Sequence, residues 1–288
     1  SPWRLGDRVR HVLRPNTRGG SRENIASHYD LGNDFYSLWL DPSMTYSSAI
    51  FADGAEDLET AQAVKNRRLM DLADVRRGDK LLEIGCGWGG FALQAARERG
   101  VHVTALTVSR AQFDEARNRV SAAGIGERVD IQLRDYRELE GQWDHAISIE
   151  MIEAVGEKYW PVYFDRIAAS LRHGGTFALQ AIVIEDRRFD AYRRSADFIQ
   201  KHIFPGGALL SPEILRDRAA QAGLVWKKSN GYGLDYAETL AQWRNRFDAA
   251  ADRVAAMNFD ERCRRCWSFD VAYCEGGCRA GNIDVLQV

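Results

Sequence analysis

The sequence predicts a doubly wound α/β fold, in which a mostly parallel sheet carries helices on both faces. Between Lys80 and Ile184, short apolar segments alternate with helical patterns of about 10 to 15 residues, as expected for successive βαβ units. A glycine-rich turn from Gly85 to Gly90 follows the first apolar segment directly. The 288 residues are 45% hydrophobic and 28% charged, a composition typical of a folded chain with a sizeable core.

The central part of the chain supplies the predicted sheet. Short apolar segments are interpreted as strands, and stretches with apolar residues at helical spacing as helices. In chain order these are a strand at 80–84, a helix from the glycine turn to Arg99, a strand at 101–107, a helix at 109–123, strands near 129–133 and 145–149, a helix at 158–171 and, after a break at Gly174 and Gly175, a strand at 176–184.

The rest of the chain is predicted to cover and complete this core. A helix should begin at Ser211, because serine is a favoured N-cap and the following Pro212 suits the first helical turn. The other predicted segments are a polar and aromatic insertion at 186–210, a strand at 224–228, a helical region at 235–275 and a last strand at 281–288.

The overall charge and hydropathy argue against two classes of protein. With 39 basic and 41 acidic residues the net charge is −2, so the chain lacks the cationic field expected when nucleic acid is the main partner. The longest apolar segments, such as 177–184, are much shorter than the roughly 20 residues that cross a bilayer. Five cysteines in a chain of this length favour a reducing cytoplasm. Because the chain starts at Ser1 and not at Met, we expect upstream residues to have been removed or left out.

Four cysteines, Cys263, Cys266, Cys274 and Cys278, raise the question of a zinc site. Their spacing places them near one face of a single predicted helix. On such a helix the outer pair would lie about 22 Å apart, whereas four thiolates on one zinc ion must converge. We therefore predict no metal site and interpret the cysteines as packing residues, unless the glycines before Cys278 break the helix.

Residues 1–22 form a predicted basic amphipathic arm. They contain six arginines against one acidic residue, Asp7, with apolar residues at helical spacing. Such a segment either packs on the body of the protein or is attracted to anionic lipid, at about 1 kcal/mol per basic residue near the surface. The pattern leaves both interpretations open.

The glycine turn is the first candidate for a binding site. Gly85, Gly87 and Gly90 satisfy the dinucleotide pattern G-x-G-x-x-G, which is weak evidence by itself. A nicotinamide site needs an acidic residue about 20 residues further on, and residues 105–109 contain none. The acidic residue here is Glu83, before the loop, and this segment resembles the first motif of S-adenosylmethionine-dependent methyltransferases.

A series of longer motifs resembles the cyclopropane-fatty-acyl-phospholipid synthase family, in the family's order from about residue 24 to the end. These motifs are His28 to Tyr36, Leu40 to Ala49, Leu106 to Ser109 with Gln112, Glu150 to Gly156, Phe204 to Gly207, Asp235 and Tyr236 with Thr239 and Leu240, and Ala272 to Glu275. The resemblance implies a class I methyltransferase (Rossmann-like) doubly wound sheet in one domain over 23–288. Within it we expect an N-terminal helical lid at 23–75, a cofactor-binding core at 76–185, a substrate-covering helical insertion at 186–210 after the fifth strand, and the C-terminal part of the core at 211–288.

The resemblance also implies which residues hold the cofactor, S-adenosyl-L-methionine. The expected contacts are Tyr46 and Ser47 as a cover, Gly85, Cys86, Gly87 and Gly89 around the amino-acid part, Thr107, Ser109 and Gln112 at the ribose, and Asp135 and Tyr136 beside adenine.

The reaction that the resemblance implies is attack by a cis double bond of a phospholipid acyl chain on the cofactor's sulfonium methyl group. The resulting carbocation must be shielded from water, and aromatic faces can stabilise it. Phe35, Tyr36, Tyr192 and Phe204 are candidates for this lining, although core packing is the more frequent role of any one aromatic residue.

Members of the family hold a bicarbonate ion, proposed as the base that removes a proton. Of its ligands, Glu153 and Tyr236 match, while Ser48 and Gln180 replace a cysteine and a histidine and still offer hydrogen-bond donors. A glutamate beside an anion should have a raised pKa, so we expect this for Glu153. Glu150, three residues earlier, is expected to face the same site.

Two further points concern the catalytic set. Cys274 matches a cysteine for which a nucleophilic role has been supposed, but alkene methylation needs no covalent cysteine and packing is the favoured interpretation. The departures from the family's pattern at Ser48, Gln180, Ala154 and Cys278 leave the product open. Loss of a proton from the new methyl group closes a cyclopropane, whereas loss from a neighbouring carbon leaves a methyl-branched alkene.

Three functions therefore stay open: a lipid methyltransferase, an N-methyltransferase of a small amine, and a catalytically inactive lipid-binding homologue. The first predicts a cytoplasmic protein in peripheral contact with the anionic inner face of the membrane, an unsaturated phospholipid as substrate and no nucleic-acid partner. A homodimer is compatible with the sequence.

Overall fold

The computed structural model of the chain describes residues 31–52, 55 and 57–288. The predicted basic arm at 1–22 and the first residues of the motif that starts at His28 lie outside these ranges. In the described part of the chain, no helix combines the length and apolarity needed to cross a membrane.

The described residues form a seven-stranded sheet at the centre of the fold. Its strands are β1 (Lys80–Ile84), β2 (His102–Thr107), β3 (Val129–Leu133), β4 (Trp143–Ile149), β5 (Leu171–Ile184), β6 (Asn230–Gly231) and β7 (Ile283–Gln287), in the spatial order β3-β2-β1-β4-β5-β7-β6. Strands β1 to β5 are parallel, whereas β7 is antiparallel to both β5 and β6. The doubly wound α/β prediction is confirmed, with an antiparallel edge.

Helices pack on both faces of this sheet. They are α1 (Asn33–Ser37), α2 (Leu58–Leu72), α3 (Gly90–Arg99), α4 (Arg110–Ala122), α5 (Trp160–Ser170), α6 (Asp186–Tyr192), α7 (Phe198–His202), α8 (Pro212–Gln221), α9 (Gly233–Ala249), α10 (Ala251–Ala256) and α11 (Glu261–Arg279). Leu81 packs with Phe91 of α3, and the next residue, Leu82, packs with Phe164 of α5, because successive strand residues point to opposite faces. Ser211 caps α8, as predicted.

The chain order reverses between β1 and β4, and this reversal positions the site. Ile84 at the end of β1 pairs with Leu106 of β2 and with Ser148 of β4, while Ile149 pairs with Gln180 of β5. The carboxyl ends of these strands therefore lie side by side. Open α/β sheets bind their ligands at such a switch point.

A third apolar cluster joins the segment before β1 to the C-terminal helices. Phe35 and Tyr36 of α1 are almost completely buried against Trp243 of α9 and Trp267 of α11. The ring centroids of Phe35 and Trp267 are 5.2 Å apart in an edge-to-face arrangement. These aromatic contacts hold the predicted lid segment against α9 and α11.

The predicted strand at 224–228 is wrong. Leu224 and Trp226 pack against the core and Val225 is 83% exposed, so the alternating pattern is present, but these residues pair with no neighbouring strand. The strand pairing is limited to Asn230 and Gly231, which pair with β7. An alternating pattern predicts an extended chain; only the sheet decides whether that chain finds hydrogen-bond partners.

Strand β5 begins at Leu171, five residues earlier than predicted. Trp143 of β4 pairs with Leu171 and His145 pairs with Thr176, so β5 contains three extra residues in this stretch. The predicted glycine break is therefore a bulge within one strand, where Gly175 lies too close to neighbouring backbone for a side chain.

The helical region predicted at 235–275 is divided into α9, α10 and α11. Helix α11 continues through Gly276 and Gly277, and a Cβ atom on Gly277 would lie 2.9 Å from Ile283 Cδ1, which explains the glycine at this helical position. The four C-terminal cysteines thus share one unbroken helix, as the geometric argument against zinc required. In the described residues no cluster of His, Cys, Asp and Glu is arranged for a metal ion.

Candidate active site

A cavity of about 280 Å³ opens at the carboxyl edge of the sheet. Its volume is close to the lower end of the range for small-molecule sites, about 300 to 1,000 Å³. The wall is formed by the glycine turn, the loops after β2, β3 and β4, the segment at 44–47, the insertion at 186–210, and helices α9 and α11. It therefore gathers parts of the chain that are distant in sequence around one space.

The glycine turn is shaped by left-handed backbone. Gly85, Gly87 and Gly89 have φ angles of 83°, 52° and 82°, which favour glycine. A Cβ atom on Gly85 would lie 2.7 Å from Met151 Cγ. Gly85 and Gly87 line the cavity, so the backbone itself is exposed to a ligand there, whereas Gly89 lies behind the wall as the N-cap of α3.

Two buried ionisable side chains lie near this turn. Glu83 is 2% exposed and lines the cavity, and its Oε2 has no hydrogen-bond partner among the described residues. Burial raises the pKa of Glu83 to about 8, although the charge of Lys65 acts in the opposite direction. Lys65 is completely buried, and its Nζ donates to Ser47 Oγ at 2.7 Å. A buried carboxyl group with an open oxygen fits a cationic ligand group, and S-adenosylmethionine carries an ammonium and a sulfonium.

The residues predicted at the ribose form a network at the start of α4. Ser109 caps the helix, with its Oγ accepting from the backbone N–H of Gln112. The side chain of Gln112 is held separately, because Thr107 Oγ1 donates to Gln112 Oε1 at 2.8 Å. Thr107 and Gln112 line the cavity, but Ser109 does not. Since Gln112 Oε1 accepts from Thr107, the Nε2 of Gln112 is the group left to donate to a ligand. Ser109 thus supports this site and does not line it.

The residues predicted beside adenine are both in the wall of the cavity. The Asp135 carboxylate accepts from Arg137 Nε at 2.8 Å and from the Arg137 terminal nitrogen at 2.5 Å, in a pair that is almost completely buried. Burial raises the pKa of Tyr136 to about 12, and its ring packs edge-to-face with Tyr163 at 5.5 Å. Tyr136 is therefore a neutral ring held in a fixed position. Arg137 also lines the cavity and was missed in the sequence.

A carboxylate that faces the cavity, Glu150, is held by two of the predicted catalytic residues. Glu150 Oε1 accepts from Gln180 Nε2 at 2.7 Å and from the Ser48 amide at 2.8 Å. Ser48 and Gln180 are 0% and 1% exposed and do not line the cavity, whereas Glu150 does. The two positions that depart from the family's bicarbonate ligands therefore support Glu150 from behind.

Glu153 and Tyr236 both line the cavity, as predicted. Glu153 Oε1 accepts from the Ile182 amide at 2.5 Å, and its Oε2 is buried with no hydrogen-bond partner among the described residues. Burial and the neighbouring Glu150 raise the pKa of Glu153 to about 8, which confirms the expected direction. Burial also raises the pKa of Tyr236 well above its usual range. At neutral pH both side chains are thus protonated and can donate hydrogen bonds.

Aromatic residues form another part of the wall. Tyr46 and Trp243 line the cavity with ring centroids 5.3 Å apart. Of the four aromatic residues proposed as lining, Tyr192 and Phe204 reach the cavity, whereas Phe35 and Tyr36 do not, because they are buried in the aromatic core.

Cys274 of α11 lines the cavity. Burial raises the pKa of its thiol well above the usual value. Since the thiolate is the nucleophile, a thiol that stays protonated supports the packing interpretation.

The structure thus brings most of the predicted site to one cavity. Its wall includes Tyr46, Ser47, Gly85, Cys86, Gly87, Thr107, Gln112, Asp135, Tyr136, Glu153, Tyr236 and Cys274, and it excludes Ser48, Gly89, Ser109 and Gln180. Sequence reasoning did not assign Glu83, Lys65, Arg137 or Trp243 to the site. A lysine in a helix is usually solvated, so nothing in the local sequence marks Lys65 as buried. Glu83 could have been assigned to the site from its position, as the acidic residue just before the glycine turn.

Comparison with known proteins gives consistent matches. The profile of the family described as mycolic acid cyclopropane synthetase matches residues 17–288. A tuberculostearic acid methyltransferase from Mycobacterium tuberculosis is 44% identical over 302 aligned positions, covering 98% of this chain and 70% of that protein. A cyclopropane-fatty-acyl-phospholipid synthase from Escherichia coli is 36% identical over 263 positions, covering 91% of this chain and 65% of that protein. The chain thus spans about two thirds of the length of these relatives.

Solved structures agree with these sequence matches. The cyclopropane synthase MmaA2 from Mycobacterium tuberculosis superimposes with a TM-score of 0.86 at 27% identity, over 92% of this chain and 96% of that one. The mycolic acid cyclopropane synthase CmaA1 in complex with SAH and CTAB gives the same TM-score, identity and coverage.

Proposed function

Because the chain belongs to the mycolic acid cyclopropane synthetase family and is an S-adenosylmethionine-dependent methyltransferase, we propose that it modifies a cis double bond in an unsaturated fatty acyl chain of a phospholipid. The modification is transfer of a methyl or methylene group from the cofactor, by way of a carbocation. The class I methyltransferase (Rossmann-like) fold expected from the motifs is confirmed.

The observation that carries this proposal is the mixed lining of the cavity. The glycine turn and Glu83 lie in one part of the wall, and apolar side chains form another part. The apolar residues are Ile182, Ile199, Phe204, Leu209, Leu240, Val271 and Ile283. A polar cofactor and an apolar chain can therefore meet in the same space, which is what methylation of an acyl chain requires.

The residues present fit the cofactor. When bound, S-adenosylmethionine supplies an electrophilic methyl group on a sulfonium sulfur. The backbone of Gly85 and Gly87 allows a close approach to its amino-acid part, and the open oxygen of Glu83 can accept from its ammonium group. Gln112 Nε2 and the ring of Tyr136 are available to the ribose and the adenine.

The same wall suits a carbocation. The faces of Tyr46, Tyr236 and Trp243 can attract a cation through their ring quadrupoles. The apolar wall also excludes water, which would otherwise add to the cation. A small amine would need neither the apolar wall nor this shielding, so the wall favours an acyl chain over an amine.

Removal of a proton completes the reaction and determines the product. Of the expected bicarbonate ligands, Glu153 and Tyr236 lie in the wall, and Ser48 and Gln180 lie behind Glu150. A bicarbonate ion in this place would have to share the Ser48 amide and Gln180 Nε2 with Glu150. The name of the tuberculostearic acid relative supports a methyl-branched product beside the cyclopropane alternative.

The test is methyl transfer from radiolabelled cofactor to phospholipid vesicles. We expect label in the acyl chains of vesicles with cis-unsaturated chains and none with saturated chains. A panel of small amines, incubated in parallel, should stay unlabelled. Absence of lipid label at every cofactor concentration would overturn the proposal. Tight cofactor binding without any turnover would then indicate a lipid-binding homologue, and label confined to the amines would indicate an N-methyltransferase.

The product is identified by mass spectrometry of the labelled lipids. A cyclopropane and a methyl-branched alkene of equal mass break at different carbon–carbon bonds, so their fragments distinguish them. The same fragments locate the double bond that was used.

A further inference from the structure

Glu150 is a carboxylate at the cavity that no expected role explains. It follows β4 directly, at the switch point of the sheet, and lines the cavity beside Glu153. Its φ angle is 48°, a left-handed conformation that residues other than glycine rarely adopt. Such strain at a cavity is often retained for function.

The hydrogen bonds to Glu150 orient the carboxylate and leave one oxygen open. Both donors, the Ser48 backbone amide and Gln180 Nε2, reach the same oxygen, Oε1. Gln180 is itself oriented, because its Oε1 accepts from Gln287 Nε2 at 2.9 Å and its Nε2 also donates to the Ser48 carbonyl at 3.0 Å. The amide of Gln180 therefore has only one orientation that satisfies its neighbours, and in that orientation it donates to Glu150.

The charges around Glu150 favour its ionised form over that of Glu153. Burial raises the pKa of Glu150, but the charge of Lys65 and the two hydrogen bonds act in the opposite direction. Among the described residues no cation lowers the pKa of Glu153, and the charge of Glu150 raises it further. The other ionisable groups near Glu150 are Lys65 and two groups that stay protonated, Tyr236 and Cys278. A single negative charge shared by this pair of glutamates is therefore more stable on Glu150 than on Glu153.

We propose that Glu150 is the base of this enzyme, so that the chain's own carboxylate receives the proton that the methylated acyl chain must lose. This inference rests on the proposed function. It gives Glu150 the role that the sequence resemblance implies for a bicarbonate ion, because two of the four residues expected to hold that ion, Ser48 and Gln180, hold Glu150.

The proton transfer balances without a further reactant. Attack by the double bond forms a carbon–carbon bond to the methyl group and leaves a positive charge on the chain. A C–H bond beside that charge then breaks, its electron pair forms the ring bond or the new double bond, and the proton goes to the Glu150 carboxylate. The neutral Glu150 carboxyl group returns the proton to solvent after the product leaves.

Chemical rescue tests the proposal. Glu150→Gly is suited to it, because glycine adopts a φ angle of 48° without strain and leaves the Ser48 amide and Gln180 Nε2 open to a small anion. Glu150→Gln fills the same space without a base. Asp74→Gly, at an exposed residue with a φ angle of 57°, controls for the introduction of glycine at a left-handed position.

We expect both Glu150 variants to lose about 10²- to 10⁴-fold in turnover, the usual contribution of a general base, with cofactor affinity by calorimetry within about threefold of the wild type. Formate or bicarbonate should restore Glu150→Gly at least about tenfold in a saturable manner, and should leave Glu150→Gln and Asp74→Gly unchanged. Wild-type turnover should be the same in carbon-dioxide-free buffer.

Three results would overturn the inference: turnover of Glu150→Gln within about threefold of the wild type, loss of wild-type turnover without bicarbonate, or Glu150→Gly that binds cofactor but is not rescued by either anion. Because the wild type is assayed for lipid label in the same series, failure of the proposed function is recognised separately, as absence of label in the wild type.

Discussion

Replacing Glu83 with glutamine should stabilise the protein at neutral pH and weaken its binding of the cofactor. The folded protein buries this carboxyl group, and burial raises its pKa from the usual 4.5 to about 8. The folded state therefore holds the proton more tightly than the unfolded state. The contribution of Glu83 to stability is complete below about pH 4.5 and is lost as the pH rises towards 8.

The size of the effect follows from the two pKa values. Each pH unit between them costs about 1.4 kcal/mol, with less near the ends of the interval. From about pH 5.5 to about pH 7.5, Glu83 should thus lower the free energy of unfolding of the wild type by about 2 to 3 kcal/mol. Glu83→Gln removes this loss, while Glu153 titrates in both proteins and cancels in the comparison.

Urea unfolding followed by tryptophan fluorescence at the two pH values measures this difference. The free energy of unfolding of Glu83→Gln, relative to the wild type, should rise by about 2 to 3 kcal/mol between them. Glu98→Gln, at a partly exposed carboxylate paired with Arg67, is the matched control and should show no such change. An identical pH dependence in Glu83→Gln and the wild type would refute the argument from burial.

Calorimetry of the same variants tests the role in binding. A hydrogen bond from a charged group to Glu83 contributes about 1.5 to 3 kcal/mol, so cofactor affinity should fall about 10- to 100-fold in Glu83→Gln. Unchanged affinity would show that Glu83 does not contact the cofactor, whatever its pKa.

Three further predictions concern single residues of the site. Glu153→Leu should lose most of its turnover while calorimetry shows cofactor affinity intact, because it removes a hydrogen-bond donor that lines the cavity beside Glu150; an unchanged rate would remove Glu153 from the mechanism. Gly85→Ala should weaken cofactor binding at least about tenfold and cost about 1 to 3 kcal/mol in urea unfolding, because its Cβ would lie 2.7 Å from Met151 Cγ and its φ angle is positive. Normal affinity in that variant would contradict the close approach of backbone and ligand. Ser109→Ala should cost about 1 kcal/mol of stability, because the backbone N–H of Gln112 loses its capping acceptor, with cofactor affinity nearly unchanged. A large loss of affinity would instead support the direct ribose contact that the sequence predicted.

The sequence predicted the elements whose local pattern determines their structure. The alternation of apolar segments and helical patterns was sufficient for β1 to β5 and the helices between them. Ser211 marked a helix start because a serine side chain can satisfy a free backbone amide, and the structure shows that Ser109 caps α4 in the same way. Residues 224–228 have the alternating pattern of a strand but form none, because a strand also needs a pairing partner and no local pattern specifies one.

The ligand-binding part of the site was more predictable than the catalytic part. Glycine is needed at Gly85 and Gly87 because of the backbone conformation, which is a local property that the motif records. By contrast, the contact of Glu150 with Ser48 spans 102 residues, and that of Gln180 with Gln287 spans 107. The matched positions of Ser48 and Gln180 in the family indicated a shared site, but not that both residues would lie behind Glu150.

By itself the sequence determined the fold class, the position of the glycine turn and the family, because periodicity and short motifs are local and survive without knowledge of contacts. Only the tertiary structure decided which ionisable side chains are buried next to other charges and which side chains reach the cavity. Glu83 and Lys65 are both buried and each changes the pKa of the other, and the charge of Lys65 also lowers the pKa of Glu150. The physical reason is that pKa values depend on burial and on charges brought close by folding, and the residues adjacent in sequence determine neither of these.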